Sequence, residues 1–78
     1  MSDEEELGLE ISAHARRRMI LRNVSAGQVS AILALCPRPT DQGDGTRLYR
    51  AFVANRNLGV VRARDGIIVT VLDFDRID

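Results

Sequence analysis

One histidine and two arginines lie four residues apart near the start of the chain: His14, Arg18 and Arg22. Arginine can bind a phosphate group, and histidine can donate or accept a proton. In a helix each residue advances by about 100°, so these three share one side with the apolar residues Ala15 and Met19. Cationic side chains in one row repel each other unless an anion lies among them. The spacing therefore indicates either a phosphate-binding site or a structural polar network.

Metal-independent cleavage of RNA is the chemistry that suits this set. The 2′-hydroxyl of the RNA is the nucleophile, so the protein needs only an acid or base and cations for the charge that develops on phosphorus. We predict His14 as the acid or base, Arg18 and Arg22 as phosphate ligands, and Thr70 as a hydrogen-bond donor from the last strand. One histidine and one cysteine cannot complete a zinc site, and no glycine-rich phosphate loop is present, so neither a metal nor a cofactor is predicted.

A purely structural interpretation of the same residues stays open. A single histidine near the start of a helix often caps the helix or forms a hydrogen bond in the core. Arg18 and Arg22 would then pair with carboxylates such as Asp73 and Asp75. Threonine favours strands, so position 70 needs no functional explanation.

The charge of the chain is divided unevenly along its length. Residues 1–10 contain five acidic residues and no basic one, whereas residues 11–78 contain eleven arginines and six acidic residues. We predict an acidic flexible tail over 1–10 and a single small domain over 11–78. All basic residues are arginine, which favours a polyanionic partner because the guanidinium binds phosphate through two donors, although a GC-rich genome produces the same bias.

The composition also restricts the compartment. No apolar run approaches the roughly 18 residues of a membrane span. A single cysteine, Cys36, excludes an internal disulfide. We therefore expect a cytoplasmic protein without a membrane partner.

The first half of the chain has helical periodicity. Ser12 is typical of a helix N-cap, and we predict a first helix that ends at Arg22 with Asn23 as a left-handed stop. The pattern Ser25-Ala26-Gly27-Gln28 forms a capping box for a second helix, which Pro37 ends.

The second half of the chain alternates as strands do. Three strands are predicted, over residues 47–54, 58–64 and 67–74. A three-residue turn at 55–57 joins the first two, and Asp65-Gly66 indicates a type I′ hairpin between the last two. Residues 9–11 either add a short strand or lead into the first helix. The predicted fold class is α+β, with two N-terminal helices packed on a three- to four-stranded antiparallel sheet.

These turns decide which side chains share a face of the sheet. They place Val61 opposite Thr70, and Arg50 opposite Arg62. On this register we predict that the helices cover the face that carries Tyr49, Ala51, Val53, Val61, Ala63, Ile68, Thr70 and Leu72, with Arg47 at its end. The other face mixes arginines with aliphatic residues, which suggests a binding face or a subunit contact; it carries Leu48, Arg50, Phe52, Val60, Arg62, Arg64, Ile67, Val69 and Val71. We predict contacts to RNA from Arg47, Arg50 and Arg62, and stacking of a base on Tyr49.

The motif around the histidine resembles a family of small bacterial proteins. His14-Ala15, Arg18-Met19, Arg22 before Val24-Ser25, then Val29 and Pro37 are similar to its pattern H-A-x-x-R-M-x-x-R-x-I-S-x-x-x-V, and 68–72 resembles its V-T-V-type last strand. This domain family of unknown function looks related to the BrnT and RelE-type toxins, which share the barnase–EndoU–colicin–RelE fold. The resemblance covers about residues 11–74.

The resemblance implies a helix–helix–sheet domain with endoribonuclease activity, often neutralised by an antitoxin protein. The matching positions are His14, Arg18, Arg22 and Thr70, and the family's glycine after the last arginine is Asn23 here. We therefore predict a toxin-like, metal-independent endoribonuclease that cleaves RNA by transesterification within a toxin–antitoxin or mobile-element system.

Two other functions stay open. The first is a non-catalytic interaction module of the same fold, a phage or mobile-element protein that binds a protein or a nucleic acid through its arginine-rich sheet face. The second is a structural subunit that forms a homodimer through Leu48, Phe52, Val60, Val69 and Val71.

Overall fold

The computed structural model describes residues 7–76, which fold into two helices packed on one side of a five-stranded sheet. The elements are β1 (Glu10–Ile11), α1 (Ala13–Arg22), α2 (Ala26–Leu35), β2 (Thr40–Asp41), β3 (Thr46–Val53), β4 (Arg56–Ala63) and β5 (Ile67–Asp73). The predicted α+β class is confirmed. Of the predicted acidic tail, residues 1–6 lie outside the described residues. Within 7–76 there is no helix with the length and apolarity needed to cross a membrane.

Both helices begin at the residues that their capping patterns predict. The Oγ of Ser12 accepts a hydrogen bond from the main-chain N–H of Ala15 at 3.0 Å, and Asn23 ends α1 in the left-handed conformation, with φ 54° and ψ 52°. Ser25 and Gln28 form the predicted capping box, with hydrogen bonds of 2.9 and 3.1 Å. Local side-chain chemistry therefore fixes the helix ends.

The sheet has the strand order β1–β5–β4–β3–β2. β1 runs parallel to β5, and the other neighbouring strands are antiparallel. The predicted three- to four-stranded antiparallel sheet is thus too small and lacks the parallel strand. Both edge strands contain only two residues, which is too short for an alternating pattern to reveal.

The turn between β3 and β4 corrects the predicted register. Ala54 and Asn55 form a two-residue loop with positive φ values of 55° and 61°, as a type I′ turn requires. The predicted three-residue turn at 55–57 is wrong, because β4 begins directly after Asn55. Arg62 consequently lies opposite Arg47 and not opposite Arg50.

The conformation of Ala54 leads to a stability prediction. A non-glycine residue with left-handed dihedral angles costs about 1–2 kcal/mol, whereas glycine costs some unfolded-state entropy. We expect Ala54→Gly to raise the free energy of unfolding by about 0.5–1 kcal/mol in urea denaturation. Ala34→Gly, on the exposed side of α2, is the control and should lower it by about 1 kcal/mol. Equal losses in both variants would contradict the type I′ turn.

The turn between β4 and β5 also differs from its predicted type. The main-chain N–H of Gly66 donates to the carbonyl of Ala63 at 2.9 Å, and within this turn only Gly66 has a positive φ, of 98°. This is a type I turn closed by a left-handed glycine, not the type I′ turn predicted at Asp65-Gly66.

The pairing of β4 with β5 is predicted correctly at one position and wrongly at the next. Val61 lies opposite Thr70 as expected, but Arg62 lies opposite Ile68 where Val69 was predicted. A β-bulge between Val61 and Arg62 causes the shift. Such a bulge inserts one extra residue and reverses the alternation beyond it.

The observed register defines two faces of the sheet, a helix-facing side and an outer face. On the helix-facing side the buried core contains Leu58, Val60, Ile68 and Val71, against which Tyr49, Ala51 and Val53 pack. These residues of β3 and Ile68 therefore lie on the helix-facing side, as predicted. The predicted face is wrong for four residues that alternate with this core and so lie on the outer face: Val61, Ala63, Thr70 and Leu72. Val60 and Val71 are fully buried, so the predicted homodimer contact through them is wrong.

Arg56, at the start of β4, holds the end of α1. Its guanidinium donates to the carbonyls of Arg22 at 2.6 Å and Asn23 at 2.7 Å. The same group lies 3.6 Å from the carboxylate of Asp73, whose side chain is only 6% exposed. A cation at the C-terminus of a helix satisfies carbonyls that have no partner within the helix.

Removal of the Arg56 guanidinium is expected to destabilise the folded protein. We expect Arg56→Met to lower the free energy of unfolding by roughly 2–3 kcal/mol, because two helix carbonyls lose their donor and the buried Asp73 carboxylate loses its ion pair. Arg76→Met is the matched control, since Arg76 is exposed and donates to one carbonyl, that of Leu21, at 2.9 Å. It should change stability by about 0.5 kcal/mol or less. Similar losses for both variants, measured by thermal and urea unfolding, would contradict this role of Arg56.

Candidate nucleic-acid interface

A cleft of about 460 Å³ opens at one end of the sheet, between the loop that joins β2 to β3 and the turn that joins β4 to β5. Its lining includes three arginines, Arg47, Arg62 and Arg64, together with Tyr49. We call these four residues and the space between them the arginine cleft. Three of the four residues predicted to contact RNA thus lie together, although the predicted register separated Arg62 from the other two.

The corrected strand register brings the cleft residues together. Arg47 and Arg62 are cross-strand neighbours, and Tyr49 follows on the same side of β3, with its ring packed against the core. The Nε of Arg62 donates to the carbonyl of Gly66 at 3.1 Å. This bond fixes the half-buried Arg62 side chain against the β4–β5 turn, whereas Arg47 is exposed.

The charge in the cleft is positive but partly balanced. Within residues 7–76 neither Arg47 nor Arg64 forms a salt bridge. Two carboxylates also line the cleft, Asp41 and Asp65, and each accepts a main-chain N–H of its own turn, at 2.9 and 3.2 Å. Two exposed guanidinium groups without carboxylate partners favour an anionic ligand, because arginine binds phosphate through paired donors.

Hydrogen bonds in the loop beside the cleft lower the pKa of a further carboxylate, that of Asp44. Thr46 donates its hydroxyl and its main-chain N–H to Asp44. These two hydrogen bonds, the hydroxyl first, lower the pKa of Asp44. They also tie the loop to the first residue of β3, next to Arg47.

A row of paired residues connects the cleft with the start of α1. One residue from each strand contributes, in the order Ile11, Ile68, Arg62, Arg47 and Asp41. Neighbouring strands are about 4.8 Å apart, so β1 lies on the order of 10 Å from Arg62. The chain that leaves β1 and enters α1 is therefore at the cleft end of the sheet.

His14 lies at this same end of the sheet. The N-cap residue Ser12 donates its N–H to the carbonyl of Ile68 at 3.0 Å, and Ile68 is the neighbour of Arg62. His14 is exposed in the first turn of α1. It is not among the residues that line the arginine cleft.

The contact of Arg16 shows how α1 is turned. Its Nε donates to the carbonyl of Ile11 in the edge strand β1 at 3.4 Å. At about 100° per residue, His14 lies on the opposite side of the helix from Arg16. The exposed His14 and the half-buried Arg18 are therefore turned away from the sheet edge.

Arg22 lies apart from His14. Eight residues of helix separate them by about 12 Å along the axis. The Nε of Arg22 is buried, and its carbonyl is one of those bound by Arg56. The predicted row of His14, Arg18 and Arg22 exists, but only its first member, His14, lies at the cleft end of the sheet.

The carboxylates predicted as structural partners of the helix arginines have other contacts. Asp73 lies against Arg56. Asp75 accepts the side-chain amide of Asn57 at 2.9 Å and its main-chain N–H at 2.8 Å. These two bonds, the side-chain one first, lower the pKa of Asp75.

Two predicted site residues lie on the outer face of the sheet. Thr70 was expected to share a crevice with the helix residues; its pairing with Val61 places it on the opposite side. Arg50 stacks on the ring of Phe74, with its guanidinium carbon 4.0 Å from the ring centre. Thr70 does not reach the arginine cleft because the β3–β4 register is shifted by an odd number of residues, which exchanges the faces of β4 and β5 relative to β3. Arg50 lies on the outer face, as predicted, and is therefore also outside the cleft.

Arg64 is a cleft residue that the prediction omitted from the RNA contacts. It precedes the Asp65-Gly66 turn, just as Arg47 follows the glycine-rich loop 43–45. In an antiparallel meander these two connections lie at the same end of the sheet. An arginine next to each of these two connections is the sequence signal that could have identified Arg64 as a cleft residue.

Comparison with protein-family models, with curated proteins and with solved structures finds no match to this chain. The resemblance to the BrnT and RelE-type toxins stays a prediction from the motif. The geometry of the arginine cleft and of α1 is therefore the basis for assigning a function.

Proposed function

We propose that this chain is a toxin-like endoribonuclease of the RelE/BrnT type, which binds RNA in the arginine cleft and cleaves it by metal-independent transesterification. The observation that carries the proposal is the convergence of Arg47, Arg62, Arg64 and Tyr49 at one open end of the sheet. Guanidinium groups bind phosphates, and a tyrosine ring stacks on an unpaired base. Single-stranded RNA offers both groups within one nucleotide.

The proposed reaction needs no nucleophile from the protein. The 2′-oxygen of RNA attacks the adjacent phosphorus, and the bond from phosphorus to the 5′-oxygen of the next nucleotide breaks. The 2′-hydroxyl loses a proton and the departing 5′-oxygen gains one, so the products carry a 2′,3′-cyclic phosphate and a 5′-hydroxyl. The cleft arginines bind neighbouring phosphates of the strand and so hold the reacting nucleotide in place.

His14 is assigned to one of the two proton transfers. Its place at the cleft end of the sheet supports this role, since an RNA strand that leaves the cleft toward β1 passes the first turn of α1. Arg18, one helical turn further on, is the next cation along that path. Arg22, at the far end of α1, and Thr70, on the outer face, have no part in this proposal.

RNA binding without cleavage is the second candidate function. It is favoured by one observation: no histidine lines the cleft itself. In this case the chain is a non-catalytic module of the same fold. A cognate antitoxin protein is a proposed partner in either case, and an acidic segment of it would cover the same arginines.

The experiment that separates these functions uses purified protein, EDTA and a single-stranded RNA of mixed sequence. The nuclease predicts cleaved RNA with cyclic phosphate ends, detected by mass spectrometry, and an intact DNA oligonucleotide of the same sequence, because DNA lacks the 2′-hydroxyl. Bound but uncleaved RNA would establish the binding module and overturn the nuclease. RNA that is neither bound nor cleaved would overturn both.

A further inference from the structure

One edge of the sheet is only partly covered. β2 pairs with β3 at Leu48 and Arg47 alone, whereas β4 pairs with β3 over all eight of its residues. Among residues 7–76, no other segment adds a main-chain hydrogen bond to this edge beyond Leu48. The second half of β3 therefore presents an open strand edge.

The open edge exposes the main-chain groups of two residues. The carbonyl of Thr46 accepts from Gln42 at 3.1 Å on the β2 side, and alternate residues of a strand direct their N–H and C=O to the same edge. Arg50 and Phe52 therefore direct theirs to the open edge. The Phe52 side chain is also 63% exposed. Proteins usually protect such an edge, because it is a template for another strand.

We propose that this edge pairs with the same edge of a second copy of the chain, antiparallel, with Ala51 on the two-fold axis. Arg50 then lies opposite the partner's Phe52, and Phe52 opposite the partner's Arg50. Each of these pairs exchanges two N–H···O=C bonds, so all four open groups of each strand find partners. A two-fold contact requires such a self-complementary pattern, in which residue i meets j and j meets i.

The side chains at the edge favour this register over its neighbours. Arg50 and Phe52 both project from the outer face, so each guanidinium meets the partner's aromatic ring as a cross-strand pair. The Arg50 guanidinium already stacks on Phe74 at 4.0 Å, and the partner's Phe52 adds a second ring beside it. Centring the axis on residue 50 would oppose two arginines. It would also require hydrogen bonds from the main-chain groups of Leu48, which already pair with Thr40 of β2.

The contact is small, so the dimer forms at high protein concentration. Light scattering coupled to size exclusion should give a mass that rises with concentration from 8.7 kDa toward twice that value. Phe52→Lys should remain monomeric, since a lysine opposite the partner's Arg50 repels it. Phe52→Glu should retain the dimer in low salt, because the carboxylate attracts the same arginine. Ile20→Lys removes an apolar side chain that is 80% exposed on α1 and should leave the dimer unchanged.

The results that overturn the proposal are equally definite. A wild-type mass of 8.7 kDa at every concentration would exclude the pairing. Equal loss of the dimer in Phe52→Lys and Ile20→Lys would place the contact elsewhere. Loss of the dimer in Phe52→Glu to the same extent as in Phe52→Lys would exclude the pairing of Arg50 with Phe52.

A disulfide tests the register directly. On the open edge, Ala51 and the partner's Ala51 form a non-hydrogen-bonded pair, with Cα atoms about 4.5 Å apart, a distance that a disulfide spans. In a Cys36→Ser background, Ala51→Cys should form a covalent dimer with oxidised glutathione. Val53→Cys is the control and should stay monomeric, because its neighbour is the partner's Tyr49. A covalent dimer of Val53→Cys but not of Ala51→Cys would overturn the register.

Discussion

Changing Arg47 and Arg64 together to glutamate is expected to weaken RNA binding, and with it cleavage at low RNA concentration, by at least roughly 100-fold, because each lost hydrogen bond to a charged phosphate contributes about 1.5–3 kcal/mol. Both arginines line the cleft, and both are exposed. Neither forms a salt bridge within residues 7–76, so their replacement leaves the fold intact. The reversed charges repel the phosphates that the guanidinium groups would hold.

The matched control changes the net charge by the same amount, but at two arginines that do not line the cleft. Arg17 and Arg38 are also exposed, and Arg17→Glu with Arg38→Glu should leave the cleavage rate within a few-fold of wild type. Arg50→Glu should likewise have little effect, because that residue stacks on Phe74 on the outer face. Equal losses in the cleft variant and the Arg17/Arg38 variant would mean that general charge, not the cleft, binds RNA.

Replacing His14 with alanine is expected to reduce the cleavage rate by about 100- to 10,000-fold, the usual contribution of a positioned acid or base. The side chain is exposed, so the variant should unfold at the wild-type temperature. RNA affinity should also stay unchanged, since the cleft residues provide the binding. The measurement is single-turnover cleavage of labelled RNA, with binding measured on an RNA in which every 2′-hydroxyl is methylated.

Two further variants limit how this result can be interpreted. Thr70→Ala should cleave as wild type, because position 70 is on the outer face of the sheet. Arg18→Ala should lower both cleavage and affinity, since Arg18 would bind a phosphate and exchange no proton. Wild-type cleavage by His14→Ala would remove the imidazole from the mechanism and leave only the arginine cleft.

The helices could be predicted because their ends depend on local chemistry. Ser12, Asn23 and the Ser25–Gln28 box each satisfy main-chain groups within a few residues of themselves. Such interactions are visible in sequence spacing, and they need no knowledge of the tertiary structure.

The sheet register could not be predicted because a turn and a β-bulge set it, and neither has a recognisable sequence pattern. Ala54 adopts a positive φ of 55°, which alanine rarely does, so its turn has none of the usual asparagine–glycine signature. The bulge between Val61 and Arg62 has no clear signal in the residues that form it. Each determinant reverses the alternation of a strand. The turn alone moved Thr70 and Arg62 to the faces opposite those predicted, and the bulge returned Ile68 to its predicted face.

The sequence predicted most of the residues of the candidate site, but it did not predict how they are arranged in space. Arg47, Tyr49 and Arg62 were proposed as RNA contacts, and they do lie in one cleft. Arg64 shared a predicted face with Arg50 and Arg62 but was not proposed as an RNA contact, although it also lines the cleft. The helix residues His14 and Arg18 rest on spacing and on the family resemblance, and their role stays a prediction.

The place at which RNA binds can be measured directly through the arginine side chains. The Nε–H resonances of Arg47, Arg62 and Arg64 report on the cleft, while that of Arg50 reports on the outer face. Titration with a single-stranded RNA in which every 2′-hydroxyl is methylated keeps the complex uncleaved during the measurement. We expect the three cleft resonances to shift and saturate together, with Arg50 unchanged. A shift of Arg50 while the cleft resonances stay fixed would contradict the account.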